Sequence, residues 1–327
     1  MSLEPLIVRT LTNGTGGSID ILNLGATITS LKVPLLGGLQ EVVLSHSDLE
    51  VYRENPNYLG ATVGRYCNRI GGASFDLDGE TFPLCPNENG NQLHGGPDGF
   101  SKRIWTFVED KCNASTLTHH LISEDGDQGF PGNLDVTVSF NWTKDNCLTI
   151  TYEAKTDKST IVNLTNHSYF NLGSTDGIKN HHVQINADAI TSVDDDLIPT
   201  GKLTLVDGTP FDFRKAHSLE GLEGELARAL QPTGGYDHNF ALTKEHGTLR
   251  PAATLSNPEN GLALSVETTE PGLQLYTGQY LDSPFSGLCL ETQNFPDAPN
   301  RPDFPSPILR PGQTYRSTTR LKFSQTL

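Results

Sequence analysis

Three short segments place ionisable side chains in apolar or aromatic surroundings, and these are the parts of the sequence that could do chemistry. They contain His94 in NQLHGG, His167 in LTNHSYFNL and Glu291 in GLCLETQNFPDAPN. A histidine and a carboxylate make a general acid and general base pair near neutral pH, because protein surroundings can bring both pKa values into that range. These residue types therefore predict proton transfer.

Taken alone, each residue also has a structural interpretation. Glu291 alternates with Leu288 and Leu290, so in a strand it lies on the face opposite the leucines, where it meets either solvent or a cleft. A histidine placed like His167, before an aromatic pair, is more often a satisfied structural group. His94 lies in a glycine-rich loop, where a ligand can approach the backbone, and a functional role is favoured.

Other polar residues fit a sugar ligand. Asn68 and Arg69 lie in GRYCNRI, and Asp237 lies in YDHNF. A sugar needs planar and bidentate hydrogen-bonding groups, together with aromatic rings against its apolar face. The residues therefore suggest carbohydrate chemistry, with a small-molecule sugar as the partner.

Metal and cofactor patterns are missing from the sequence. The adjacent pairs His119-His120 and His181-His182 fall in predicted strands, so the two side chains of each pair point to opposite faces. The five cysteines form no C-x-x-C motif, and neither a P-loop nor a G-x-S-x-G motif occurs. We expect no metal and no cofactor.

The elements that must position these side chains are strands. Residues 134–142 alternate apolar and polar side chains, turn-forming residues 144–146 follow, and residues 147–154 alternate again, which predicts an antiparallel hairpin. Asp78-Gly79 is a type I′ turn signal between two shorter strands. At least a dozen strand candidates come at short spacing with few helices between them. Parallel βαβ architecture is thereby excluded, and an all-β, large antiparallel sandwich or barrel is predicted.

Two stretches have a helical pattern, 46–55 and 218–230. Segments 86–99 and 296–307 are rich in Gly, Pro or Asn and are interpreted as shaped loops within a domain. Without a linker or a fixed-period repeat, the sequence predicts a single domain over residues 1–327.

Charge and composition exclude some partners. The 327 residues carry 39 acidic and 23 basic side chains, a formal net charge of −16, which should repel nucleic acid and anionic membranes. No signal-peptide pattern and no apolar run of transmembrane length is visible. Scattered thiols without a pairing pattern suit a reducing compartment, so we expect a cytoplasmic protein. The oligomeric state stays open.

Several motifs together resemble one known family. In chain order they are GATVGRYCNRIGGASF, NQLHGGPDGFSKRIW, DGDQGFPGNL, NHSYFNL, ITSVDDDLIPTG, YDHNFAL, LQLYTGQYL and ETQNFPDAPN. This order resembles the aldose 1-epimerase (galactose mutarotase) family from about residue 25 to about residue 320. The resemblance implies a galactose-mutarotase-like β-supersandwich and an enzyme that interconverts the α and β anomers of free hexoses such as galactose and glucose, without a cofactor.

The resemblance also implies residue roles. His167 would be the general acid that protonates the ring oxygen, and Glu291 the general base that takes the anomeric proton. The residues implied in sugar binding are Asn68, Arg69, His94, Asp237 and Gln274. Related proteins often have a histidine where this chain has Asn294, a difference that bears on sugar preference.

The implied mechanism sets requirements on protonation. Ring opening starts with Glu291 ionised and His167 protonated. A nearby carboxylate should favour the protonated histidine, and partial burial should raise the pKa of Glu291 towards neutrality.

Three alternatives stay open at this point. A glycoside hydrolase would need two carboxylates across the bond, as Asp237 and Glu291 could provide. A non-catalytic sugar-binding module would need no acid/base pair. A hexose-6-phosphate epimerase would need a cationic phosphate pocket, for which the candidates are Arg65, Arg69, Lys102 and Arg103.

Overall fold

Strands make up most of the ordered elements. The computed structural model describes residues 4–325 apart from 223, 225, 227, 229, 231, 232 and 244. In chain order its strands are β1 (Val8–Thr12), β2 (Ser18–Leu22), β3 (Thr27–Leu35), β4 (Gly38–Glu41), β5 (Thr62–Val63), β6 (Arg69–Ile70), β7 (Ser74–Leu77), β8 (Glu80–Pro83), β9 (Gln92–Leu93), β10 (Thr106–Phe107), β11 (Thr116–Ser123), β12 (Leu134–Thr143), β13 (Cys147–Thr156), β14 (Thr160–Ile161), β15 (Thr165–Asn166), β16 (Tyr169–Phe170), β17 (His182–Ile185), β18 (Ala187–Val193), β19 (Pro199–Leu205), β20 (His217–Ser218), β21 (Asp237–Leu242), β22 (Arg250–Asn257), β23 (Leu262–Thr268), β24 (Gly272–Tyr276), β25 (Leu288–Gln293), β26 (Ile308–Leu309) and β27 (Tyr315–Gln325). Short 3₁₀ helices span Leu49–Arg53, Gly71–Ala73, Phe100–Lys102, Glu109–Lys111, Asp127–Gly129 and Ala298–Asn300.

Two large sheets dominate the architecture. One has nine strands in the order β10-β11-β12-β13-β27-β23-β22-β17-β20, and the other has six in the order β16-β25-β24-β21-β18-β19. A third sheet joins β1 to β4 in sequence order. Neighbouring strands in these sheets pair antiparallel, as the period-two pattern predicted.

One hydrophobic core lies between the two large sheets. From the nine-stranded sheet it takes alternate residues such as Val136 and Ile150, and from the six-stranded sheet Leu275, Leu288 and Leu290. Burying one face of each sheet against the other is what makes a sandwich. The predicted all-β sandwich is confirmed, and the shared core supports the single domain over 1–327, which stays a prediction.

The predicted hairpins form where their turn residues indicate. Strands β12 and β13 pair in register, with Trp142 opposite Leu148. Between β7 and β8, Asp78 and Gly79 have φ of 55° and 86°, the two positive values that a type I′ turn requires.

The two helical predictions had different outcomes. Within 46–55 the structure has the short 3₁₀ helix Leu49–Arg53, whose first turn is capped by Asp48. The stretch 218–230 includes four residues that lie outside the described part of the chain. In the part that is described, no helix is both long and apolar enough to cross a bilayer.

Candidate active site

The site is built on the face of the six-stranded sheet that points away from the core. In β25, Leu288 and Leu290 enter the core, whereas Glu291 points the other way and is only 2 % exposed. The alternation predicted this face correctly. Of the two possibilities left open by the sequence, a cleft is the one observed, because Glu291 lines a cavity.

Strand register gathers the other residues of this face. Residues directly opposite each other in an antiparallel sheet project on the same side. Asn239, Gln274 and Glu291 therefore form one row across β21, β24 and β25. The neighbouring row contains Asp237, Tyr276, Cys289 and Tyr169.

His167 reaches this face from the segment between β15 and β16. Its backbone N–H donates to the carbonyl of Ala61, and its own carbonyl accepts from the N–H of Gly60, so the backbone is held on both sides. The imidazole is 4 % exposed. Its Nε2 lies 3.8 Å from Oε1 of Glu291, and its Nδ1 lies 3.4 Å from the Sγ of Cys289.

The loop after β9 supplies His94 on the opposite wall. Its Nδ1 accepts a hydrogen bond from the backbone N–H of Asn68 at 3.0 Å, and its ring centroid is 5.2 Å from that of His167. The next residue, Gly95, has φ of 86°, and a Cβ there would stand 1.9 Å from the carbonyl oxygen of Gly64. Only glycine fits this close approach, which sets the position of His94.

Arg69 bridges the two walls. Its Nε and Nη2 donate to Glu88 at 2.6 Å and 3.1 Å, and its Nη1 lies 3.7 Å from Asp237. Asp237 also accepts from Nε2 of Gln274 at 2.6 Å. Gln274 is 3 % exposed and is not among the residues that line the cavity, so it supports Asp237 from behind.

The cavity between these walls has a volume of about 210 Å³. Its lining residues are Pro56, Asn57, Tyr58, Asn68, Arg69, Glu88, Leu93, His94, His167, Tyr169, Asp237, Tyr276, Tyr280 and Glu291. The structure thus brings together six of the seven residues expected at the site, with Gln274 one layer behind.

Sequence reasoning missed Glu88 and the rings of Tyr58, Tyr276 and Tyr280. Tyr276 and Tyr280 lay within the quoted LQLYTGQYL segment, and Tyr276 is directly opposite Asp237. Glu88 precedes Asn89-Gly90, a turn signal a few residues before His94. The signal that could have found these residues was the presence of acidic and aromatic side chains close to the loop of His94, for which a functional role was already favoured.

Comparison with known proteins identifies the family to which this chain belongs. The family model of aldose 1-epimerase matches residues 8–322. The chain belongs to the aldose 1-epimerase family. It is 41 % identical to the aldose 1-epimerase of Escherichia coli K12 over 336 residues, covering 98 % of this chain and 96 % of that protein. It is 43 % identical to the galactose mutarotase of Rattus norvegicus over 324 residues, covering 94 % and 91 %.

Solved structures agree. An aldose epimerase homologue from C. elegans superposes with a TM-score of 0.91 at 28 % identity, covering 99 % of this chain and 100 % of that one. A galactose 1-epimerase from Lactobacillus acidophilus superposes with a TM-score of 0.84 at 29 % identity, with full coverage of both chains. Membership of the aldose 1-epimerase family confirms the resemblance, the mutarotase-like fold and the isomerase class acting on aldoses.

Burial shifts the pKa values of the two central groups of this epimerase site in opposite directions. Burial raises the pKa of Glu291 well above its usual range; Asp237 adds to the rise, and Arg69 opposes it. Burial lowers the pKa of His167 to about 4, although a backbone hydrogen bond and Asp237 act to raise it. The expectation for Glu291 agrees with this direction. Asp237 acts on the pKa of His167 in the expected direction, but the expectation that His167 is thereby kept protonated is wrong, because loss of solvation outweighs the attraction.

His94 is a neutral hydrogen-bond donor. Burial, then the proximity of His167 and Arg69, lowers its pKa well below the usual value. Because Nδ1 accepts from Asn68, the single proton of the neutral ring sits on Nε2.

This donor set does not suit a metal ion. Ligand atoms of His94, His167 and Glu291 lie within 4.8 Å of one another. However, a metal-bound histidine donates its second N–H to a neighbour. At His94 the second nitrogen accepts, so the nitrogen left for a metal carries the proton.

The four cationic residues proposed for a phosphate pocket do not line the cavity together. Arg65 is 1 % exposed and donates to backbone carbonyls such as that of Pro131. Lys102 donates to backbone carbonyls, including that of Arg53, and Arg103 pairs with Asp127. Of the four candidates, Arg69 alone lines the cavity. The hexose-6-phosphate alternative therefore loses its structural basis.

Asn294 lies outside the site. It follows Gln293, so it points to the other side of the strand end, where its side chain donates to the carbonyl of Pro305 and lines a different cavity. The concern that Asn294 alters sugar preference through direct contact is therefore not supported by its position.

Proposed function

We propose that this protein interconverts the α and β anomers of free aldohexoses such as galactose and glucose by opening and reclosing the sugar ring. The observation that carries the proposal is the pair His167 and Glu291, 3.8 Å apart and almost fully buried in one small cavity. Membership of the aldose 1-epimerase family supports the same reaction.

The proposed reaction moves two protons. Glu291 takes the proton of the anomeric hydroxyl while His167 gives a proton to the ring oxygen, and the bond between the anomeric carbon and that oxygen breaks to leave an open-chain aldehyde. Rotation about the bond from C1 to C2 presents the other face of the carbonyl. Reclosure returns both protons and inverts the anomeric centre, so no net redox change occurs and no cofactor is required.

The pair has to hold one proton between its two groups. Burial disfavours the charged form of both groups and so favours the arrangement with the proton on Glu291, whereas ring opening uses the proton on His167. The two arrangements differ only in proton position, so a coupled pair titrates as a unit with two apparent pKa values. Sugar hydroxyls that solvate the charged groups favour the reactive arrangement. The pH dependence of kcat should then be bell-shaped, with both limbs belonging to the pair.

The remaining groups are proposed to hold the sugar. Arg69, Asp237 and the Nε2–H of His94 are hydrogen-bonding partners for hydroxyls, and Asn68 fixes the ring of His94. The tyrosine rings of Tyr276 and Tyr280, stacked with centroids 6.3 Å apart, offer apolar faces. Gln274 acts as a supporting residue for Asp237.

We place the protein in the cytoplasm. The structure describes all five cysteines, and each is free. Free thiols, two of them outside the buried core, support a reducing compartment.

Polarimetry of freshly dissolved α-galactose and α-glucose tests the proposal. With the protein, the approach to anomeric equilibrium should be faster while the final rotation is unchanged. An unchanged rate for both sugars with folded protein would refute it. Sugar released from a glycoside would favour a hydrolase, and sugar binding without faster mutarotation would favour a binding module.

A further inference from the structure

The positive charge of Arg69 is already balanced by two carboxylates of the protein. Glu88 accepts two hydrogen bonds from its guanidinium, at 2.6 Å and 3.1 Å, and Asp237 lies 3.7 Å away. Burial alone would lower the pKa of Arg69, but Asp237 and Glu88 together raise it above its usual value. A ligand that enters the cavity therefore finds no unpaired positive charge at this side chain.

Glu88 is the first residue of a hydrogen-bonded hairpin turn. Asn89 and Gly90 have φ of 47° and 82°, which makes Glu88-Asn89-Gly90-Asn91 a type I′ hairpin turn. The N–H of Asn91 donates to the carbonyl of Glu88 at 2.7 Å, and the N–H of Glu88 donates back at 3.2 Å. The turn leads directly into β9 and His94, so the carboxylate is presented at the wall of the cavity.

Carboxylates exceed cations around the cavity. Among the lining residues that the structure describes, Glu88 and Asp237 are two acidic groups against one cation, Arg69. Glu291, whose pKa is raised by burial, adds a third negative charge only when it is ionised. Neutral sugars interact with such a lining through hydroxyl hydrogen bonds. A sugar with a carboxylate would place another negative charge in the same small cavity, where the side chain of Asp237 is 12 % exposed and that of Glu88 is 29 % exposed, so the repulsion is only partly screened.

We propose that Glu88 is a specificity-determining residue that makes this cavity reject anionic sugars such as hexuronic acids. This inference rests on the proposed function and concerns the substrate class of the same site. A guanidinium is the preferred partner of a carboxylate ligand. Glu88 already pairs with the guanidinium of Arg69. A ligand carboxylate therefore meets the negative charge of Glu88 instead of a free guanidinium, and this repulsion discriminates against it.

The experiment compares galacturonate with galacturonamide, which has nearly the same shape without the charge. The wild-type protein should have a kcat/KM for mutarotation of the amide at least about tenfold above that of the carboxylate. Glu88→Gln should narrow this ratio by about tenfold, because Arg69 becomes available to the carboxylate. Glu88→Asp keeps the charge and should keep most of the discrimination.

Glu109→Gln is the matched control. Glu109 also accepts two hydrogen bonds from one arginine, Arg9, but that pair is on the surface, away from the cavity. The substitution changes the net charge by the same amount and should leave the ratio of the two substrates unchanged.

Two results would overturn the inference: equal kcat/KM for galacturonate and its amide in the wild-type protein, or an unchanged ratio in Glu88→Gln. Binding of both ligands measured by calorimetry gives the same comparison without turnover. A protein that discriminates in binding but does not accelerate mutarotation of galactose would refute the proposed reaction and leave the role of Glu88 supported.

Discussion

Two buried glutamates, Glu291 and Glu270, each line a cavity, and their surroundings differ. Glu291 is 2 % exposed in the cavity of about 210 Å³, and Glu270 is 7 % exposed in one of about 510 Å³. Burial raises the pKa of both. Size and burial therefore do not distinguish the site of chemistry from the other cavity.

The groups that face each carboxylate do distinguish them. Glu270 accepts from the hydroxyl of Tyr315 at 3.1 Å, and this hydroxyl stays protonated near neutral pH because burial raises the pKa of Tyr315 well above its usual value. Glu291 lies 3.8 Å from His167, and its Oε2 has no hydrogen-bond partner among the described residues. His246 also lines the cavity of Glu270, but these two residues, both described by the structure, form no ion pair. A raised carboxyl pKa becomes useful for catalysis when a second titratable group and a free acceptor face the same space.

The largest expected effect comes from removing the proposed base. Glu291→Gln keeps the shape but cannot accept a proton, so kcat should fall by roughly 10²-fold or more with a smaller change in KM. In Glu270→Gln, kcat should stay within about twofold of wild type. Steady-state polarimetry on protein confirmed as folded by circular dichroism makes the comparison. Near-normal turnover in Glu291→Gln would remove the mechanism.

Removing the proposed acid should have a similar effect. His167→Asn leaves an amide without a titratable proton, and kcat should again fall by roughly 10²-fold or more. The double variant with Glu291→Gln should be far less impaired than the product of the two losses, since one missing transfer already stops ring opening. A fully multiplicative loss would mean that the two residues act independently.

A smaller effect is expected from the ground-state contacts. Asp237→Asn weakens a charged hydrogen-bond acceptor for the sugar, so KM should rise by about tenfold. Tyr315→Phe, which removes the hydroxyl partner of Glu270 instead, should leave KM unchanged. A rise in KM of equal size in both variants would show that the two cavities are coupled.

The smallest effect concerns stability. The folded-state pKa of Glu270 is raised from 4.5 to about 7 by burial, so its contribution to the free energy of unfolding is complete below about pH 4.5 and is lost as the pH rises through about 7. The Glu270 contribution should fall by on the order of 1–3 kcal/mol over this range. Buried histidines such as His167, whose pKa is lowered to about 4, gain stability over the same range, so the Glu270 contribution is the difference between wild type and Glu270→Gln. Glu291, whose pKa is also raised, acts in the same direction as Glu270.

Urea unfolding at several pH values measures this loss. Relative to wild type, Glu270→Gln should become progressively more stable as the pH rises from about 4.5 to about 7, because the glutamine does not titrate. A variant with the same slope as wild type would show that Glu270 contributes nothing to it.

The sequence by itself determined the features that depend on neighbouring residues. Side chains alternate along every strand, so the period of two in 134–142 and in β25 predicted both the sandwich and the face of Glu291. The Asp78-Gly79 turn was equally predictable, because positive φ at two consecutive positions restricts the residue types locally. The order of the motifs identified the family for a similar reason, because short runs of residues can be compared between chains without knowing any tertiary contact.

The tertiary structure decided which distant residues meet and how well they are solvated. Asp237 and Glu291 share a face because of the register of β21, β24 and β25, and Arg69 meets Glu88 because a hairpin turn stands beside β6. Only the fold could show that Arg65 is committed to backbone carbonyls. Burial lowers the pKa of His167 to about 4, and that burial is produced by all the packed segments together. The energy of a charged side chain depends on the dielectric of its surroundings in space, which its neighbours in sequence do not determine.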